Sequence, residues 1–263
     1  MKLVQFDFSV TWVVVDDGST DDSLKVLRES TGGFPVQIIS TRTSGKLSQG
    51  GAFQAWNEGI KYAKSNIPNF THLMKLDADV SLKSDFFLML LDSLVNPKVG
   101  ITGGVIIKGG REQNLHVPGP AKIYSRECLR LLETLPLQAG FDVMDEVVAM
   151  HSGLEVIISK KAKITLTRNI GNSQGILHGR RRNGMVCRWT GYYPLYFGMH
   201  LFRYMFRKPY IFGSVWMFYG YISAKPSPYP KYLRSLHSDI QRKKVRNLLK
   251  RPRYFLRNVY AID

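Results

Sequence analysis

A chain of 263 residues, 44% hydrophobic and 22% charged, is ordinary for a globular protein and long enough to bury a full core in one large domain or one domain with an appendage. Its net charge of +17 is unevenly spread: residues 1–150 carry 15 Lys and Arg against 17 Asp and Glu, whereas residues 151–263 carry 22 against 3. That asymmetry points to an anionic partner, and the two cysteines, Cys128 and Cys187, have no CxxC or disulfide-like spacing, which fits a reducing compartment and two small core residues.

The N-terminus, MKLVQFDFSV, has one basic residue and alternating polarity, which is not the pattern of a signal peptide. No uninterrupted apolar run reaches the ~18 residues that mark a spanning helix. The alternation of Val4, Phe6, Phe8, Val10, Trp12 and Val14 with more polar neighbours predicts a strand, apolar on both faces at Trp12–Val15 where it enters a sheet centre. It runs into the acidic turn Asp16-Asp17-Gly18, after which Ser19 or Thr20 is placed to cap a helix with Leu24 and Leu27 on its inner face. A short strand follows at Val36–Ser40. Ser44–Gly51 is Gly/Ser-rich and leads into a helical pattern with Phe53, Trp56, Ile60 and Ala63 on one face; its start, with Lys46 nearby, suits a diphosphate but lacks the P-loop pattern.

The second apolar strand, Met74-Lys75-Leu76, ends in Asp77-Ala78-Asp79. In an extended chain the two carboxylates point to one side, where both can reach one divalent cation. Phe86–Leu94 reads as a helix and Val99–Ile107 as a strand, whose Gly103-Gly104 pair marks a bulge or makes room for a sugar or acceptor. Ala121–Tyr124 reads as a strand, and Ser125 as the cap of a helix through Leu132. A third acidic group, Asp142, Asp145 and Glu146, precedes a helical pattern to Met150, with Asp142 also suited to capping that helix.

Glu155–Ile158 and Lys163–Thr167 look like two closing strands. His178–Gly184 reads as a basic loop, able to meet a phosphate or simply solvated, and none of the six histidines shows metal-ligand spacing. Residues 189–224 are dense in aromatic and aliphatic residues, broken by Arg203, Arg207, Lys208 and Pro209. They read as two segments too short to span a bilayer, suited to its interface or to a helical hairpin packed on protein. Lys231–Arg257, with ten Lys and Arg and one acid, is a basic amphipathic helix with Leu233, Leu236, Ile240 and Leu248-Leu249 as its stripe. The composition shifts near residue 185, dividing an α/β domain (1–185) from a helical, aromatic and basic extension (186–263).

Three motifs, VVVDDGSTDDS, SGKLSQGGAFQAWNEGI and the DAD triplet, stand in an order and spacing that resembles the family 2 inverting glycosyltransferases. The resemblance covers roughly the first third of the chain and implies the GT-A fold, a Rossmann-like mixed sheet flanked by helices. It implies that Asp16, Asp17, Gly45, Lys46, Asn57 and Asp77 contact a nucleoside-diphosphate sugar, and that Asp79, with Asp77, holds Mg²⁺ or Mn²⁺. The family's catalytic Asp falls best on Asp142, in a Phe-Asp context where the family commonly has Glu-Asp, with Asp145 as runner-up.

The family pattern also places a strand and helix before the DDGS strand, and the 15 residues ahead of Asp16 are too few for both. The implied activity is metal-dependent inverting sugar transfer to a hydroxyl of a membrane-associated glycan or lipid-linked acceptor, in the cytoplasm at the inner face of the membrane. No nucleic acid is expected. The alternatives are a shortened, impaired glycosyltransferase-like binding protein and a sugar nucleotidyltransferase.

Overall fold

The computed structural model describes residues 9–30, 36–41, 51–108, 111–113, 116–167 and 175–250, arranged in two compact units, residues 1–70 and 71–263. The predicted positions before residue 9, the loop carrying Gly45 and Lys46, and the helix beyond Lys250 lie outside the described residues.

In the first unit, β1 (Trp12–Asp16) pairs in parallel with β2 (Val36–Ser40), from Trp12 opposite Val36 to Asp16 opposite Ser40. Between them runs α1 (Ser23–Ser30), with Leu24 and Leu27 half-buried as its spacing predicts. The cap differs from expectation, because the Asp21 carboxylate, not Ser19 or Thr20, accepts the Ser23 N–H at 3.1 Å. The next helix, α2 (Gly51–Asn66), crosses β1 closely: a Cβ at Gly59 would stand 3.3 Å from Val15 Cγ2.

The second unit holds a mixed sheet. Its strands are β3 (His72–Leu76), β4 (Val80–Leu82), β5 (Val99–Lys108), β6 (Arg111–Gln113), β7 (Ala121–Ser125) and β8 (Glu155–Leu166), in the order β3-β7-β5-β8-β4 with β6 paired to β5. Only β5 and β8 run parallel; the other pairs are antiparallel. The two predicted closing strands are one, since β8 runs unbroken past Lys160-Lys161 and absorbs the irregularity as a register shift against Gly103–Val105. That shift is the bulge the glycine pair announced. The pair makes no room for a sugar, however: a Cβ at Gly103 would stand 2.6 Å from Val117 Cγ1, and one at Gly104 2.8 Å from the Ala162 carbonyl carbon. Phe86, Leu90, Ile106, Ile123 and Ile164 close the core under this sheet, each contributing about 1.5–3 kcal/mol by leaving water.

The predicted helix over 86–94 is a 3-10 turn at Leu88–Leu90 continued by α3 (Leu91–Val95). The Ser125 cap is as read, its Oγ accepting the Cys128 N–H at 3.2 Å at the head of α4 (Arg126–Leu131). Next, α5 (Phe141–His151) begins at Gly140, whose φ of +97° only glycine adopts cheaply. Gly140 is therefore the cap, and Asp142 sits in the first turn, where a carboxylate meets the positive end of the helix dipole.

The basic loop expected at 178–184 is helical, part of α6 (Ile176–Trp189), and the composition boundary near 185 falls inside it. Gly184 is there for close approach, not for a turn: a Cβ on it would stand 2.7 Å from the Met217 carbonyl carbon on α8 (Tyr210–Ile222), the partner of α7 (Pro194–Met205). Phe197 of α7 stacks on Tyr221 of α8 at 4.2 Å. Finally, α9 (Lys231–Lys250) buries Leu233, His237, Gln241 and Val245. Two of those four are polar and were absent from the predicted stripe, while Leu249 is exposed. His237 Nδ1 donates to the Thr190 carbonyl at 2.7 Å, and Gln241 Oε1 accepts the Tyr193 N–H at 2.8 Å, which ties α9 to the turn before α7.

Candidate active site

In the first unit the acidic turn is built by its own carboxylates. Asp16 Oδ1 accepts the Ser19 N–H at 3.1 Å, Gly18 turns the chain at φ +80°, and the Asp16 carbonyl accepts the Thr41 N–H at 2.8 Å at the end of β2. Asp17 is exposed beyond them, with its Oδ1 3.5 Å from the Thr41 hydroxyl. Asn57 lies half-buried on α2, two residues before the glycine that crosses β1.

In the second unit the DAD triplet is not extended chain. It occupies the turn between β3 and β4, closed by the Val80 N–H donating to the Asp77 carbonyl at 3.2 Å, so the carboxylates are placed by a turn and not by strand alternation. The Asp77 carboxylate accepts a close hydrogen bond from Lys75 Nζ, two residues back on the same face of β3. Lys75 also donates to the Gly119 carbonyl at 2.9 Å, and the Asp77 N–H donates to Pro120 O at 2.9 Å. Asp79 is pinned through its backbone, its carbonyl accepting both the N–H (2.9 Å) and the hydroxyl (3.0 Å) of Thr167 beyond β8. Its side chain is left unengaged by those bonds.

Asp142 meets the same Pro118-Gly119-Pro120 segment from the other side. A Cβ at Gly119 would stand 2.8 Å from Asp142 Oδ1 and nearer still to Oδ2, so the carboxylate rests against the bare Cα. Asp142 Oδ1 is buried with no hydrogen-bond partner among the described residues. An orphaned carboxylate oxygen is costly unless something else engages it. Asp77, through its N–H on Pro120, and Asp142, through its carboxylate on Gly119, 65 positions apart in sequence, thus meet one Pro-Gly-Pro segment.

Asp145, the runner-up, is occupied elsewhere. It is fully buried; Lys122 Nζ donates to its two oxygens at 3.1 and 3.0 Å, the Tyr124 hydroxyl at 2.8 Å, and the Glu146 N–H at 2.7 Å. Lys122 also donates to Glu146 Oε1 at 3.0 Å and to the Asp142 carbonyl at 2.7 Å, while Glu146 Oε1 accepts the Val117 N–H at 2.8 Å. Burial raises the Asp145 carboxyl, Lys122 opposes that, and the carboxylates of Glu146 and Asp142 add to it, leaving it at about 6. Burial by itself would lower the Lys122 ammonium, but attraction to the three acids holds it above the usual lysine range. The cluster fixes the first turn of α5, and with it Asp142.

The connection between α8 and α9 supports the same turn: the Tyr229 hydroxyl donates to the Gln138 and Ala139 carbonyls at 3.0 and 3.2 Å, just ahead of Gly140. Sequence reading missed Lys75, Gly119, Lys122 and Tyr229. Pro-Gly-Pro signals a turn, but nothing in it says that a carboxylate from 23 residues downstream will lie on its glycine. No group of three or more His, Cys, Asp or Glu side chains able to hold a metal ion occurs among the described residues.

Residues 5–151 match the family model described as Glycosyl transferase family 2. No curated protein sequence matches significantly. Among solved structures, the chain is similar to the mannosyltransferase PcManGT from Pyrobaculum calidifontis, in complex with GDP-Man and Mn²⁺, at 16% identity over 94% of this chain and 73% of that one, with a TM-score of 0.50. It is also similar to GalNAc-T7 with UDP, GalNAc and Mn²⁺, at 14% identity over 95% of this chain and 52% of that one, with a TM-score of 0.55. The chain thus spans about half the length of the latter. Likeness at such identity speaks for the fold, and that fold is the GT-A arrangement of helices about a mixed sheet. With a family match over more than half of its residues, the chain belongs to glycosyl transferase family 2.

Proposed function

We propose that the protein transfers a sugar, with inversion, from a nucleoside-diphosphate donor to a hydroxyl of an acceptor held at a membrane surface, a glycan or a lipid-linked sugar. The observation that carries this reading is the Asp142 carboxylate, seated on Gly119 with one buried oxygen that has no hydrogen-bond partner among the described residues, while Lys75 grips the carbonyl of the same glycine. A general base needs a carboxylate held in place yet within reach of the acceptor hydroxyl; Asp142 is held and only half-buried, whereas Asp145 is fully buried among Lys122, the Tyr124 hydroxyl and the Glu146 N–H.

In this reading Asp142 takes the acceptor proton as the hydroxyl attacks the anomeric carbon from the face opposite the leaving group. Asp16 and Asp17 accept hydrogen bonds from base and ribose, with Gly45, Lys46 and Asn57 at the donor as the resemblance implies. Lys75, next to Asp77, supplies positive charge to the same edge. Asp79, with Asp77, would hold Mg²⁺ or Mn²⁺. A hard cation of this kind takes one or two protein carboxylates and completes its shell with phosphate and water oxygens, which fits a turn that carries two carboxylates. When bound, the ion neutralises charge on the departing diphosphate. Residues 186–263 form the acceptor-side extension, placing the protein peripherally at the inner face of the membrane.

Asp142→Asn tests the assignment. Transfer should fall by roughly 10²–10⁴-fold, the range for loss of a general base, while donor affinity measured by calorimetry stays unchanged; unaltered turnover would move the base elsewhere. Asp79→Ala should abolish the difference in donor affinity between Mn²⁺ and chelator. A sugar nucleotide accumulating as product would replace transfer with nucleotidyl chemistry.

A further inference from the structure

The surface of α8 reverses the usual amphipathic rule. Its sequence, YIFGSVWMFYGYI, contains no charged residue. The face it buries against α6 and α7 is made of small and flexible residues, Gly213, Ser214, Met217 and Gly220: the Ser214 hydroxyl donates to the Leu201 carbonyl of α7 at 2.8 Å, and a Cβ at Gly220 would stand 2.7 Å from the Arg181 carbonyl carbon of α6. The large apolar side chains point outward: Phe212 is 72% exposed, Ile222 63%, and Ile211, Val215, Trp216 and Phe218 between 41% and 59%. Phe202 and Phe206 on α7, 63% and 69% exposed, stack edge to face at 5.1 Å. Small residues at the helix contact and large ones outside is how helices pack when the surroundings are lipid, because the outer face then needs no water.

The charge around this face is of one sign. Residues 176–225 contain six arginines, two lysines and no acid. Arg207 and Lys208 stand exposed at the α7–α8 corner, where Arg180 donates to the Lys208 carbonyl at 3.1 Å and lies over the Tyr204 ring at 4.1 Å. Arg181 lies 5.1 Å from the Tyr219 ring centre. Aromatic rings interleaved with cations match the headgroup level of a bilayer with anionic lipids. At about 1.5 Å per residue α8 is ~20 Å long against a hydrocarbon core of ~30 Å, and no described helix is long and apolar enough to cross a membrane.

We infer that the α7–α8 hairpin is an interfacial anchor, immersing the outer face of α8 in one leaflet of an anionic bilayer with Arg207 and Lys208 at the phosphates. This deepens the membrane-surface reading above and rests on it for its place in the reaction, while the side chains that make the contact are separate from the acidic turns. The occupant is lipid rather than a second copy because the rim is cationic throughout, and two such rims would repel.

The test is flotation of the full chain, without nucleotide, on vesicles of phosphatidylcholine with about one-third phosphatidylglycerol, the kind of anionic surface that basic interfacial helices select. The chain should float, and brominated lipid should quench a fluorescence component that Trp216→Phe removes. Phe212→Glu/Ile222→Glu should keep the wild-type circular dichroism and melting temperature, both side chains being exposed, and should lower vesicle binding about tenfold or more. Absence of flotation overturns the inference. So does flotation that survives the double substitution but is lost on reversing Arg242, Lys243 and Arg246 of α9, which would assign binding to charge on that helix. A dimer that the double substitution dissociates, in a chain that ignores vesicles, would assign the face to a second copy and equally overturn it. Asp142→Asn should float as wild type does, so failure of the transfer chemistry and failure of the anchor are read separately.

Discussion

The carboxylate of Asp142 rests on the Cα of Gly119, leaving no space for a Cβ between them. The contact joins the first turn of α5 to the segment that Lys75 and Asp77 grip from β3. Gly119 has no positive φ, so its requirement is space alone. Gly119→Ala should therefore fold, with a loss of no more than about 1–3 kcal/mol for overpacking, yet displace Asp142. A shift of ~1 Å at a reacting group costs roughly 10²-fold in rate. Transfer assays alongside urea denaturation would show that split; wild-type turnover in the alanine variant would detach Asp142 from the chemistry.

Lys122 is drawn to three acids, Asp145, Glu146 and Asp142, in the cluster under α5. Lys122→Met leaves Asp145 and Glu146 buried without it, and breaking a buried pair from one side costs about 3–5 kcal/mol. Tyr124→Phe removes the hydroxyl that donates to Asp145 while leaving Lys122 in place, and should cost less, about 1–2 kcal/mol. Denaturant midpoints for the two variants should rank in that order.

Acid should weaken the C-terminal helices through His200. Burial pushes its imidazole down to about 4, helped by Arg203, Arg180 and Arg207. An unfolded histidine titrates near 6.5. Between those values the unfolded chain takes up a proton that the folded chain refuses, so stability is present above about pH 6.5 and lost as pH falls toward 4. Asp145, raised to about 6, works in the opposite sense over much of that window, gaining stability as pH falls. The His200 contribution is accordingly read from a difference: His200→Gln should lose less stability than wild type between pH 7 and pH 4, by on the order of 2 kcal/mol. Parallel curves for the two proteins would contradict the burial of His200 as a neutral base.

Gly184 lets α6 approach the backbone of α8. Gly184→Ala would gain helix propensity in an exposed peptide, but here its Cβ meets the Met217 carbonyl, so the variant should be less stable by about 1–3 kcal/mol. Thermal melts would settle the sign: a stabilised variant would mean the two helices are not in contact.

Much of the chain's local structure was legible in its residues. Period-two and period-three-to-four patterns placed β1, β2, α2, β7 and α9, because burying one face is a local requirement repeated along the element. The order and spacing of VVVDDGSTDDS, SGKLSQGGAFQAWNEGI and DAD were enough to point to the family. Where the pattern misled, a glycine or a polar residue was serving a distant partner. Gly184 looked like a loop signal and is a helix contact; His237 and Gln241 lay outside the predicted stripe and belong to the buried face of α9. The resemblance ranked Asp142 ahead of Asp145, three positions away in one acidic run, without a physical reason. The structure supplies one: Lys122 of β7 reaches the inner side of α5 and hydrogen-bonds the Asp145 and Glu146 carboxylates, while the Asp142 carboxylate, one helical turn away, lies against a glycine with one oxygen that has no partner among the described residues. Which carboxylate is bound and which is free depends on where a lysine from another strand arrives, a property of the assembled sheet and helix that neither segment carries in its own residues.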